Sequence, residues 1–215
     1  MRPDRLVVVL GTATGVGKTW TSCALARHLR AAGTGVVARK PAQSYDPGDA
    51  SPTDAHLLGA ACGEPPERVT PAHRWYPVPL APPMAADTLG RAPFSISQLV
   101  DELAAGWGPR VDVGIVETAG GACSPLADDG DCVAFTAAVG ADDVVLVADA
   151  GLGTLNAVRA TVHALGRAPL VFLNHFDATS PHDLHARNAR WLRERDALDV
   201  VTSTDALAAR LSSAP

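Results

Sequence analysis

The sequence predicts an α/β fold, a single domain spanning residues 1–215 and built on one mostly parallel sheet with helices on both faces. Three observations carry this prediction. Six short apolar runs rich in β-branched residues are bounded by Gly, Asp or Asn, as strands buried on both faces should be. Helical segments stand between these runs, and that alternation implies a parallel sheet wrapped by helices on both sides. A glycine-rich loop joins the first run to the first helix.

Leu6–Leu10 is the first strand, Gly11–Thr19 the loop, and Lys18–Ala32 the helix that the loop feeds. Gly35–Ala38 is the second strand, leading to Lys40 and Pro41. Asp54–Ala61 is helical, with Asp54 placed where a cap or a ligand-binding acid would stand. The proline-rich stretch Pro65–Pro93 breaks the rhythm and is expected to be a functional surface loop. Ile96–Ala105 is a helix before the third strand, Val113–Val116, which Glu117 closes. Helices Val133–Val139 and Leu155–Leu165 flank the fourth strand, Val144–Val147. Leu170–Leu173 is the fifth strand and ends at Asn174; helix His182–Arg195, strand Val200–Val201 and helix Asp205–Leu211 complete the pattern.

Composition narrows the function classes. Hydrophobic residues make up 47% of 215, enough for one sizeable core, and no linker or internal repeat interrupts it. A net charge of -5 with scattered arginines argues against a sequence-independent nucleic-acid binder. The absence of an 18-residue apolar run, and an N-terminal apolar run too short for a signal peptide, predict a soluble cytoplasmic protein without membrane partners. Cys23, Cys62, Cys123 and Cys132 show neither disulfide nor zinc spacing and are expected to be thiols. His182 and His185 are expected on a solvated helix face rather than on a metal.

Ligands of open parallel sheets gather at the carboxyl ends of strands. Gly11–Thr19, Lys40–Ser44, Glu117–Leu126 and Asp149–Asn156 follow the first four strands, and Asn174 closes the fifth, so five strand ends are expected on one rim. In Gly11-Thr12-Ala13-Thr14-Gly15-Val16-Gly17-Lys18-Thr19, glycines let backbone amides face phosphate oxygens, and the following helix adds its positive end. Thr19 offers a hydroxyl to Mg²⁺, so ATP or a relative, with Mg²⁺, is the implied ligand. The loop is a variant, its first glycine one residue early at Gly11. Asp54 and Glu117 are the candidate carboxylates for the metal. Lys18 and Lys40 are the only lysines beside sixteen arginines, which fits two narrow anionic pockets that take a point charge and reject a planar fork. Placing Lys40 one strand from the loop suggests phosphoryl transfer rather than binding alone.

With these residues in view, the chain resembles the dethiobiotin synthetases over about four-fifths of its length. The resemblance rests on five ordered segments: Gly11–Thr19, Lys40-Pro41-Ala42-Gln43-Ser44, the acid Asp54, Val116-Glu117-Thr118-Ala119-Gly120-Gly121, and Leu152-Gly153-Thr154-Leu155-Asn156. Ala81–Ala86 is similar to the family's segment before a short helix. The resemblance implies a P-loop NTPase-like fold and an ATP-dependent ligase. In that reaction 7,8-diaminononanoate takes up CO₂ as a carbamate, which is phosphorylated and then closed to a cyclic urea. It further implies that Thr14, Lys18, Lys40 and Ser44 hold the carbamate and phosphates, with Gly15, Val16, Gly17, Thr19, Glu117 and Gly120 around the nucleotide. Thr19, Asp54 and Glu117 would hold Mg²⁺, and Asn174 would read the adenine edge. Gly153, Thr154, Leu155 and Asn156 would receive the substrate's tail carboxylate from the neighbouring subunit of a homodimer.

The chain departs from the family pattern at Ala13, at Thr118 after the acid, at Tyr45 after Ser44, and in a short segment Val201–Asp205. Tyr45 is expected to narrow or reshape the substrate side. Three other readings share the phosphate loop. A paralogous ligase would act on a different amine. A nucleotide-switch ATPase of the partitioning type would carry a second lysine where Ala13 stands, and a corrinoid-type amidating ligase would need a glutaminase domain.

Overall fold

A computed structural model gives the architecture and describes residues 1–108 and 110–212. In chain order the elements are β1 (Arg5–Gly11), α1 (Lys18–Ala31), β2 (Val36–Arg39), β3 (Gln43–Ser44), α2 (Asp54–Cys62), α3 (Pro66–Val69), β4 (Trp75–Tyr76), α4 (Pro82–Thr88) and α5 (Ile96–Gly106). Then follow β5 (Val113–Glu117), β6 (Pro125–Ala127), β7 (Gly130–Asp131), α6 (Cys132–Ala138), β8 (Asp143–Asp149), α7 (Thr154–Leu165), β9 (Leu170–Asn174), α8 (Leu184–Glu194), β10 (Val200–Val201) and α9 (Thr204–Ser212).

Six strands form one sheet in the order β10-β9-β8-β1-β5-β2, and every pairing in it is parallel. The period-2 alternation of β1 divides the core in two. Leu6, Val8 and Leu10 face the layer that includes α5, α6, α7 and α8, while Val7 and Val9 face α1, α2 and α9. Both faces are therefore covered, as the continuous apolar strands required. No described helix is long and apolar enough to cross a membrane.

Helix ends follow local chemistry. Ser95 and Gln98 form a reciprocal capping box that starts α5, and Asp131 accepts from the Ala134 amide to start α6. Helix α8 begins at Leu184, two residues later than expected, because Asp183 accepts hydrogen bonds from the amides of Thr179 and Ser180 and closes a turn there. His182 consequently lies before the helix, and the His185 ring accepts from the Asp177 amide at 3.0 Å.

The proline-rich stretch differs most from expectation, being built from short elements rather than irregular loop. Pro66 opens α3 and Pro82 opens α4, positions where the missing N–H has no helical partner in any case. Between them β4 pairs in parallel with β3, Gln43 opposite Trp75 and Ser44 opposite Tyr76. Arg74 anchors the segment: its guanidinium makes two hydrogen bonds to Glu102 and lies 4.2 Å from the centre of the Phe94 ring.

Candidate active site

Three of the five strand ends expected on one rim share a cleft. The carboxyl ends of β1, β2 and β5 open onto a cleft of about 600 Å³ whose lining includes Thr14, Lys18, Thr19, Lys40, Ser44, Asp54, Glu117 and Gly120. Its outer wall, Pro79–Pro82, comes from the proline-rich segment.

The loop's path is set by glycine. Gly17 has a φ of 93°, and a Cβ there would lie 2.0 Å from Asn174 Nδ2, so only glycine lets the loop pass beneath that amide. Asn174 Nδ2 in turn donates to the Val16 carbonyl at 2.9 Å. Lys18 folds back over the loop and donates to the carbonyls of Gly120, at 2.6 Å, and Ala13, at 3.1 Å. Burial, and then the nearby Lys40 ammonium, hold Lys18 below the ordinary lysine range.

Deeper in the cleft, two carboxylates converge on one ammonium. Lys40 Nζ lies 2.7 Å from Asp54 Oδ2 and 2.8 Å from Glu117 Oε1. Thr19 Oγ1 lies 2.8 Å from both Asp54 Oδ1 and Glu117 Oε1, its single proton serving one of them at a time. Ser22 Oγ donates to Glu117 Oε2 at 2.9 Å, so the fully buried Glu117 is satisfied at both oxygens. Burial acts to lower the Lys40 pKa, but Glu117 and Asp54 outweigh it and hold the ammonium above its usual range. Burial likewise pushes the Asp54 carboxyl up, and Lys40 and Thr19 outweigh it, leaving that group below the ordinary aspartate value. Asp54 is the first residue of α2, whose cap position is Thr53, so its side chain faces the cleft instead of capping the helix.

Lys40 is aimed by its neighbours. Its backbone is fixed by hydrogen bonds to the Val69 carbonyl and from the Thr70 hydroxyl. Arg39 makes two hydrogen bonds to Glu64 and two to the Gly106 carbonyl, tying β2 to the turn after α2 and to the end of α5. Adjacent cations thus do different work, the fork bridging elements and the point charge filling a pocket.

Residues 5–174 match the family described as an AAA domain. An ATP-dependent dethiobiotin synthetase of Anaeromyxobacter sp. (strain Fw109-5) is 43% identical over 78% of this chain and 73% of its own length. Another, from Caulobacter sp. (strain K31), is 39% identical over 74% of this chain and 70% of its own. The chain belongs to the ATP-dependent dethiobiotin synthetase family. Among solved structures, the signal recognition particle receptor FtsY of Elizabethkingia anophelis in complex with GDP aligns with TM-score 0.57 at 15% identity, over 95% of this chain. Chloroplast FtsY from Physcomitrella patens aligns with TM-score 0.54 at 18% identity. The chain spans 58% and 61% of those two proteins, and the likeness shows the shared fold alone.

This synthetase-family cleft gathers Thr14, Gly15, Gly17, Lys18, Thr19, Lys40, Ser44, Asp54, Glu117 and Gly120. Val16 lies buried behind the loop, and Asn174 lines an adjoining cleft. Gly153, Thr154, Leu155 and Asn156 are elsewhere, at the start of α7, and do not line the cleft of their own chain. Tyr45 does not line this cleft: its ring packs edge-on against Trp75, and its amide donates to the Tyr76 carbonyl. Thr118 is accommodated because the left-handed backbone falls two residues later, at Gly120 with φ 73°. Trp20 also lines the cleft and was missed; its place directly after the loop's Lys-Thr pair was the available signal.

Proposed function

We propose that this chain is an ATP-dependent dethiobiotin synthetase, closing the cyclic urea of dethiobiotin from 7,8-diaminononanoate, CO₂ and ATP. One amine adds CO₂ to give a carbamate. A carbamate oxygen attacks the γ-phosphorus as ADP leaves, and the second amine attacks the carbonyl carbon of the mixed anhydride and expels phosphate. The observation that carries this reading is the meeting of Lys40, Asp54, Glu117 and Thr19 in the cleft that also holds Lys18.

The donor set fits Mg²⁺, which prefers hard oxygen ligands: two carboxylates already converge on one ammonium, and the Thr19 hydroxyl lies against both of them. Thr19, Asp54 and Glu117 would hold the ion, which supplies charge neutralisation to the nucleotide's terminal phosphates when bound. Lys40, released from its carboxylates, would face the carbamate and γ-phosphate. Lys18 and the backbone of Gly15, Val16, Gly17 and Gly120 would hold the phosphates, orienting them without covalent participation. The hydroxyls of Thr14 and Ser44 would position the carbamate. Ser44 Oγ supports this role, being buried in the cleft wall with no hydrogen-bond partner among the described residues.

The tail carboxylate would go to the Gly153–Asn156 turn of a second copy. Helix α7 starts on Gly153 without a side-chain cap, Thr154 Oγ1 is buried without a partner among the described residues, and Leu152 is 94% exposed. The test is direct. The protein is incubated with diaminononanoate, bicarbonate, Mg²⁺ and ATP, and the product is weighed. The expected product is heavier than the diamine by one carbonyl less two hydrogens, and ATP consumption without that product would reject the reading.

A further inference from the structure

Beside the phosphate loop lies a second cleft of about 500 Å³, lined in part by Gly17, Trp20, Phe172, Asn174, Thr202 and Thr204. Gly17 and Trp20 line both clefts, so the two are continuous at the start of α1. Trp20 is 57% exposed, although it stands on the helix that begins with the buried Lys18. One face of its indole lies on Phe172, ring centroids 6.4 Å apart at 26°. A large aromatic held by stacking on one side and left over half uncovered has the form of an unfinished stack.

Asn174 keeps its Oδ1 for a base edge, since only its amide nitrogen is engaged among the described residues. The Asn174 amide nitrogen is already bonded to the Val16 carbonyl, and the clash a Gly17 side chain would make shows how tightly that amide is held against the loop. Aromatic faces bind any base, because every base offers a π-face. We infer that Trp20 is the stacking platform for the base of the nucleoside triphosphate, so that the second cleft grips the face of the base. This rests on the reading that the Gly15–Thr19 loop holds the triphosphate.

The experiment compares ATP with tripolyphosphate, the same anion without a base, by calorimetric titration of wild type, Trp20→Phe and Trp20→Ala in the presence of Mg²⁺. Trp20→Ala is expected to weaken ATP roughly 5- to 150-fold, the loss of one base–aromatic stack, while tripolyphosphate affinity stays as in wild type. Trp20→Phe should retain most of the ATP affinity. Unchanged ATP binding by Trp20→Ala would overturn the inference, and so would equal losses for ATP and tripolyphosphate, which would make Trp20 a support of the loop. Wild type binding neither ligand would instead reject the nucleotide reading on which the inference rests.

Discussion

The two lysines show how little freedom the cleft leaves to its cations. Lys40 neutralises a carboxylate that is wholly buried, so Lys40→Met would leave Glu117 charged or force it to take up a proton. Breaking a buried pair from one side costs about 3–5 kcal/mol, which lowers the melting temperature of a chain this size by roughly 10 °C. Mg²⁺ should recover much of that loss in the variant and add little to wild type, where Lys40 competes for the same oxygens; calorimetric melting with and without Mg²⁺ checks both statements. Lys18 is confined differently, with Gly11 beside it: a Cβ on Gly11 would lie 2.9 Å from Lys18 Cδ. A guanidinium needs more width than this bend allows, so Lys18→Arg is expected to weaken nucleotide binding roughly ten- to a hundredfold despite keeping the charge, and titration with ATP measures it. Scarcity singled out both lysines, and the structure brings both to one cleft. Their mutual arrangement was not legible in the sequence, because Lys40 and Glu117 are 77 residues apart and meet only through the pairing of β2 with β5.

Elements, rather than single side chains, aim this site. Strand β2 delivers Lys40 to the cleft and is anchored by Arg39 to Glu64 and Gly106. Arg39→Lys keeps one charge but cannot hold Glu64 with two bonds and reach the Gly106 carbonyl as well; it is expected to cost about 2–3 kcal/mol by denaturant unfolding. The six sheet strands were legible within about a residue at most ends, because burial on both faces demands apolar runs. The Pro65–Pro93 segment was not, since its prolines read as loop punctuation although Pro66 and Pro82 occupy first-turn helix positions. Short helices α3 and α4 carry too few residues to show a periodicity, and the two-residue β3–β4 pair has none. Trp20 escaped notice for a related reason, since an aromatic in the first turn of an amphipathic helix reads as core until its exposure is seen.

At the scale of the whole molecule, one sheet with two apolar layers leaves its thiols unequal. Cys23, Cys62 and Cys132 are buried within those layers, and burial pushes their thiols up to about 12, about 11 and about 11, whereas Cys123 is exposed. Alkylation of the native protein near pH 8 should therefore modify one cysteine, Cys123, and denaturation should release all four; peptide mass mapping distinguishes the sites. The same layering brings the carboxyl ends of β1, β2 and β5 together in the cleft where we propose that a carbamate is activated by phosphorylation. The path of the carbamate oxygen reports on that step. Bicarbonate labelled with ¹⁸O is supplied in ordinary water with diaminononanoate, Mg²⁺ and ATP, and the phosphate released at short times is analysed by mass. A carbamate oxygen that attacks the γ-phosphorus stays with the phosphate, so one ¹⁸O is expected in the phosphate formed alongside each cyclic urea. Cyclic urea accompanied by unlabelled phosphate would contradict it.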